Sequence, residues 1–356
     1  MTICVGWISC GSVFLIADSA VTKSGAVEVP RSQFGELHES QADRNVEESD
    51  LKIFRWNDTA AVFAGDAETA KSIFSTYVAI GNSCDPLDAF TKAWESNGPF
   101  GSHPVASLFG FYGDNGANLV KFEDNAIPTK AEVGVIGNRI SQFEEPAFDD
   151  SLKAFLGGFP QNVESPMEVL ACGLGWMQSN SIFSNLMPHG IGGHYAGLLI
   201  NSAGLRWADP TVHCIAIEGN LECHSGGIPN AVIVYPLDDK IFLLNGVESS
   251  WTIIANSFGS NYGLSSAQRI ERCNLLCKSI QIDEIPLQFV IFYDVLRCNI
   301  TVLRVNGQKP APGAHVVFDL VGEKKQLKWH LSKEVSELIY GGRQAKSIAF
   351  HDCHVL

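Results

Sequence analysis

A chain of 356 residues, 46% of them apolar, is long enough to bury one large or two medium cores. Its formal net charge of −14, from 25 Lys and Arg against 39 Asp and Glu, argues against non-specific nucleic-acid binding, which needs clustered basic residues. No uncharged apolar stretch approaches the roughly 18–20 residues of a membrane span, so neither nucleic acid nor membrane is expected as a partner.

In chain order, residues 2–9 and 12–18 read as two strands joined by the turn Ser9-Cys10-Gly11-Ser12. The polar, acidic run over about residues 26–50 reads as an exposed loop insertion. "LKIFRW" and "TAAVFAG" form a second strand pair around Asn57-Asp58, and Gly65 closes it. A helix follows with Ile73, Phe74, Tyr77 and Val78 on one face, then another with Asp85 as N-cap and Pro86 at its first position.

"VASLFGFY" and "NLVKFE" resume as strands, and Ser165 with Glu168 is spaced as a capping box opening a further helix. "GGHYAGLLIN", "GLRWA", "HCIAIEG" and "LECHS" return to strands. From about residue 230 come a hairpin ("NAVIVYPL", "KIFLLNG"), a helix from Ser265 to about Ile280, more strands, and a last helix at "SKEVSELIYGG". Strands and helices in blocks predict an α+β chain, with a domain over 2–230 and a C-terminal α/β extension over 231–356.

The N-terminus carries no basic leader segment, and Asp18 interrupts its apolar run, which speaks against a secretory signal. Ten cysteines without a Cys-x-x-Cys pair read as reduced thiols, so the expected location is cytoplasmic. "HCIAIEGNLECH" would bring Cys214 opposite Cys223 and His213 opposite His224 if it folded as a hairpin. Strand alternation then puts the Cys and His pairs on opposite faces, and no metal is expected. No phosphate-binding or dinucleotide fingerprint is present, and no cofactor is expected.

Two motifs remain. "TICVGWISCGSVFLIADSAVT" has a hydroxyl residue behind Met1 leading a strand, with Asp18, Ser19 and Thr22 at the end of the next strand. "LKIFRWNDTAAVFAGDAETA" places Lys52 ahead of a short strand and Ala64-Gly65 at the head of a helix. Together they resemble the N-terminal part of proteasome β subunits and of the bacterial ATP-dependent peptidase that shares their fold. The resemblance is clear over about residues 2–80 and loose to about 220. It implies a four-layer αββα sandwich of the N-terminal-nucleophile hydrolase type. It also implies catalytic roles for Thr2, Asp18, Lys52 and Gly65, substrate-binding roles for Thr22 and Phe63, a homo-oligomer, and an ATPase or unfoldase as a candidate partner.

The chemistry follows from the residues themselves. A threonine hydroxyl needs a base within reach, and the α-amine of an N-terminal Thr2, with a pKa of roughly 7.7–8.0, is tethered beside it once Met1 is removed. The Lys52 ammonium would keep that amine unprotonated, and Asp18 would hold Lys52 charged and oriented. The Gly65 N–H, at a turn opening a helix, suits an oxyanion donor. As a strand-end charge, Lys52 is expected to be replaceable at little cost in stability, since exposed ion pairs contribute about 0–1 kcal/mol.

The chain departs from the family pattern where a serine turn and an Asp-x-x-Ser-Gly-Gly run belong. Gly137 or Asn138 stands at the first place, and Pro188 and Ile191 precede Gly192-Gly193 at the second. The expected function is amide-bond hydrolysis, most simply of peptides. The alternatives are an inactive scaffold or assembly subunit of the same fold and an amidase acting on a small molecule.

Overall fold

The computed structural model describes residues 2–24, 34, 44–48, 50–97, 104–123, 127–137, 152, 154–156, 163, 165–184, 186, 190–216, 230–237, 240–245, 250–255, 288–294, 299–304, 314–321, 324–331 and 348–352. Two units divide the chain: Met1–Val29, Glu39–Phe159 and Met187–Trp207 form the first, and Pro30–His38, Pro160–Leu186 and Ala208–Leu356 the second.

The first unit opens with the hairpin β1 (Ile3–Ser9) and β2 (Ser12–Asp18). Cys10 and Gly11 both take positive φ, 49° and 65°, the I′ pattern that matches the twist of paired strands. β3 (Ala20–Ser24) and β4 (Arg44–Glu48) form a two-stranded ribbon, so the end of the expected loop insertion is a strand. β5 (Ile53–Trp56) and β6 (Thr59–Gly65) lead into α1 (Ala67–Ile80) and α2 (Pro86–Asn97). The Asp66 carboxylate accepts the Thr69 N–H at 2.8 Å, and Asp85 accepts the Leu87 N–H at 2.8 Å, so each helix has its N-cap.

β7 (Val105–Gly113), β8 (Gly116–Phe122), β9 (Thr129–Lys130), β10 (Val133–Gly137), β11 (Tyr195–Asn201) and β12 (Gly204–Trp207) complete the unit. Two antiparallel sheets result, ordered β10-β1-β2-β11-β12 and β5-β6-β7-β8-β9. They meet where Leu15, Leu108 and Leu119 converge over Gly6. The second sheet buries its other face under α1 and α2 in an aromatic core, with Phe90 of α2 stacked on Phe109 at 4.2 Å and Tyr77 of α1 edge-on to both.

In the second unit, α3 (Pro166–Ser184) starts with the expected capping box: Glu168 N donates to Ser165 Oγ at 3.3 Å, and Ser165 N donates to Glu168 Oε2 at 3.1 Å. The strands are β13 (Thr211–Ala216), β14 (Asn230–Leu237), β15 (Lys240–Asn245), β16 (Ser250–Ala255), β17 (Phe289–Asp294), β18 (Asn299–Arg304), β19 (Ala314–Val321), β20 (Lys324–Leu331) and β21 (Ile348–Asp352). Seven of them make a mixed sheet, β16-β15-β14-β13-β17-β18-β21, with β13–β17 and β18–β21 parallel. β13 is flanked by β14 and β17, so Cys214 lies opposite Ala231 and Phe292. Cys223 and His224, the partners expected for Cys214 and His213, lie outside the described residues. α3 packs on β17, β18 and β21, and Gly175 brings it close to Ile291 and Ile300.

The four-layer αββα sandwich expected from the sequence is not the fold of this chain. Sheet dominates, with twenty-one strands against three α-helices of three turns or more among the described residues. Only one sheet of the first unit carries a helix pair belonging to that unit. The long helix α3 belongs to the second unit and packs on its mixed sheet. The cause lies in α3 itself. Val169, Leu170, Ala171, Cys172 and Leu174 are all buried, and a helix apolar on every side has no stripe to specify its partner sheet. The helices expected at 265–280 and 332–342 lie outside the described residues.

Candidate active site

Asp18 ends β2, opposite the start of β1, because the register Cys4↔Ala17 brings Ile3 to its side. Both of its carboxylate oxygens are engaged. Oδ1 accepts the Lys52 ammonium at 2.7 Å and the Ile3 N–H at 3.2 Å, and Oδ2 accepts the Gly192 N–H at 3.1 Å. Lys52 also donates to the Ala20 carbonyl at 2.5 Å. This tethers the residue before β5 to the ends of both β2 and β3. The pair is buried, with side-chain exposures of 11% for Lys52 and 0% for Asp18.

Burial pushes the Asp18 carboxyl above the ordinary carboxylate range. The Lys52 charge and hydrogen bond and the N–H groups of Gly192 and Ile3 pull it back down. Thr2, the nucleophile expected from the sequence, is 9% exposed and directly precedes Ile3, whose N–H donates to Asp18. Cys4 is buried as well, and its thiol donates to the Phe63 carbonyl at 3.4 Å, linking β1 to β6. Burial holds that thiol far above the usual cysteine range, so it is no nucleophile.

The structure thus brings together Asp18 and Lys52, and Thr2 precedes Ile3, whose N–H meets the same carboxylate. Phe63 joins them through its backbone, since its N–H donates to the Lys52 carbonyl at 3.3 Å. Its ring turns into the aromatic core, edge-on to Phe54 at 5.1 Å and tilted against Phe90. Gly65 is exposed at the end of β6, with φ +112°. A Cβ there would sit 2.1 Å from the Pro104 carbonyl oxygen, so only glycine fits. Thr22 lies on β3 opposite Val46, and its side chain is outside the described residues.

Two contributors escape a reading by side chains. Gly137 pairs with Ile3 across β10 and β1, and a Cβ on it would fall 1.8 Å from the Thr2 carbonyl oxygen. The serine that the family pattern places near here is therefore sterically excluded at 137, while Asn138 lies outside the described residues. The second contributor is the turn before β11, where Gly190, Gly192 and Gly193 all take positive φ. It reaches the ion pair through a backbone N–H. The glycine cluster "HGIGGH" is the one sequence signal of it.

Among the described residues no group of three or more His, Cys, Asp or Glu side chains could hold a metal ion, and no helix is long and apolar enough to cross a membrane. Comparison with protein-family models and with curated proteins gives no match to this chain.

Proposed function

We propose that the chain is an amide-bond hydrolase of the threonine-peptidase kind, in which Thr2, made N-terminal by removal of Met1, is both nucleophile and base. The observation that carries this reading is the convergence of the Lys52 ammonium and the Ile3 N–H on one oxygen of Asp18, one residue from Thr2. An ammonium held at that place disfavours a second positive charge on the α-amine and favours a developing alkoxide. In the reaction the Thr2 hydroxyl adds to the amide carbonyl and its proton passes to the α-amine. The C–N bond then breaks, the leaving amine takes that proton, and an ester remains on Thr2. Water cleaves the ester and restores the hydroxyl. Gly65 N–H is the donor assigned to the oxyanion.

An inactive assembly subunit is the second reading. The burial of the same ion pair favours it, since such a pair ties the end of β2 to the start of β5 whether or not Thr2 reacts. Intact mass and peptide mapping after incubation with a hydroxyl-directed electrophile separate the two. The hydrolase gives a single adduct on a peptide that begins at Thr2. A protein that keeps Met1 throughout, or has a free Thr2 and takes no adduct, overturns the reading.

A further inference from the structure

The departures from the family pattern leave open what holds Asp18 in place of the missing side chains. Beyond the last ladder pair, Tyr195↔Asp18, strand pairing stops. The side chains of Asp18 and Ser19 continue it instead. Asp18 Oδ2 accepts the Gly192 N–H at 3.1 Å, and Ser19 Oγ accepts the His194 N–H at 2.9 Å. Both side chains and His194 are buried, at 1% exposure for Asp18 and Ser19 and 2% for His194. The backbone of the turn makes this possible: φ is +120° at Gly192 and +68° at Gly193, so one N–H can aim at the carboxylate. Each carboxylate oxygen then has its own donor set, with Lys52 on one and the turn on the other.

We infer that Ser19 is a positioning residue, which latches the 190–194 turn through the His194 N–H so that Gly192 fixes the Asp18 carboxylate against Lys52. The inference rests on the hydrolase reading for its catalytic meaning, while the latch itself is a statement about Asp18. Ser19 acts through Asp18 and Lys52 and touches no substrate.

The test uses the full chain with glycine and aspartate labelled for NMR, beside the electrophile assay. In the unsubstituted protein the Gly192 amide proton shift should titrate with the same midpoint as the Asp18 carboxyl carbon. A flat Gly192 shift through that titration overturns the latch without any variant. Ser19→Ala should move the Asp18 midpoint upward, because a donor to the ionised form is lost. It should also slow Thr2 labelling by between about tenfold and a hundredfold, the scale of small misplacements of reacting groups, with a displaced pH profile. Ser19→Thr, which keeps an acceptor oxygen, should restore both. Ser19→Ala with an unchanged Asp18 midpoint refutes the inference, whatever the labelling does. A latch confirmed by NMR in a protein that takes no adduct refutes the hydrolase reading alone.

Discussion

Replacing Lys52 by methionine removes the ammonium while keeping most of the side chain's length. Asp18, fully buried, is then left with the N–H groups of Ile3 and Gly192 but without a counter-charge. Breaking a buried pair by removing one partner costs about 3–5 kcal/mol, against about 0–1 kcal/mol for an exposed pair. Asp18→Asn should cost less, roughly 1–3 kcal/mol, because the 11%-exposed Lys52 can turn toward water. In the double variant neither charge is stranded, so its cost should fall short of the sum by at least about 2 kcal/mol. Urea denaturation at neutral pH measures all three. Thr2 labelling should fall at least about a hundredfold in both Lys52 variants, since Asp18→Asn restores stability and not the ammonium. Additive stabilities within about 0.5 kcal/mol would refute the buried pair. Recovered labelling in the double variant would refute the role given to Lys52.

Two further outcomes are expected. If emptying the Phe63 ring site opens the core toward the substrate, Phe63→Ala should widen acceptance from small or medium apolar side chains before the cut to larger ones in a peptide panel. It should also cost about 3–5 kcal/mol, because the ring is packed against Phe54 and Phe90. A destabilised variant with unchanged preference would remove Phe63 from the specificity site. In the second unit, His213 Nδ1 bonds the Tyr293 hydroxyl at 2.7 Å, and burial lowers the His213 pKa to about 3 from 6.5. A lowered histidine pKa gives stability that is fully present above 6.5 and lost as pH falls toward 3. Near pH 5 the loss is about 2 kcal/mol, from about 1.4 kcal/mol per unit. Denaturation midpoints at pH 7 and 5 should show this slope, and His213→Gln should flatten it. An equal slope in both proteins sinks the assignment.

What was legible in the sequence was local. β1–β2 and β5–β6 follow from apolar runs ending at turn residues, and the Asp85 and Ser165 caps follow from side chains that serve backbone N–H groups a few positions away. Asp18 and Lys52 were visible as types at a spacing, and the structure places them 2.7 Å apart. Their burial was not visible, because a lysine beside Asp50 reads as a surface charge. That reverses the expectation that Lys52 can be replaced at little cost. The Gly192 contribution was hidden for a different reason: its donor is a main-chain N–H, which every residue but proline has. The placement of α3 was hidden because its apolar residues point in all directions.

The bond between Gly192 and Asp18 spans 174 positions, whereas Lys52 and Asp18 are 34 apart. A ribosome adding about 5–20 residues per second exposes Lys52 roughly seven to thirty seconds before Gly192. During that interval β2 is an open edge awaiting β11, and the carboxylate has one oxygen uncapped. The Asp18 carboxylate is thus capped only late in the synthesis of its unit, and a nascent chain halted before residue 190 would carry Asp18 and Lys52 without the Gly192 donor.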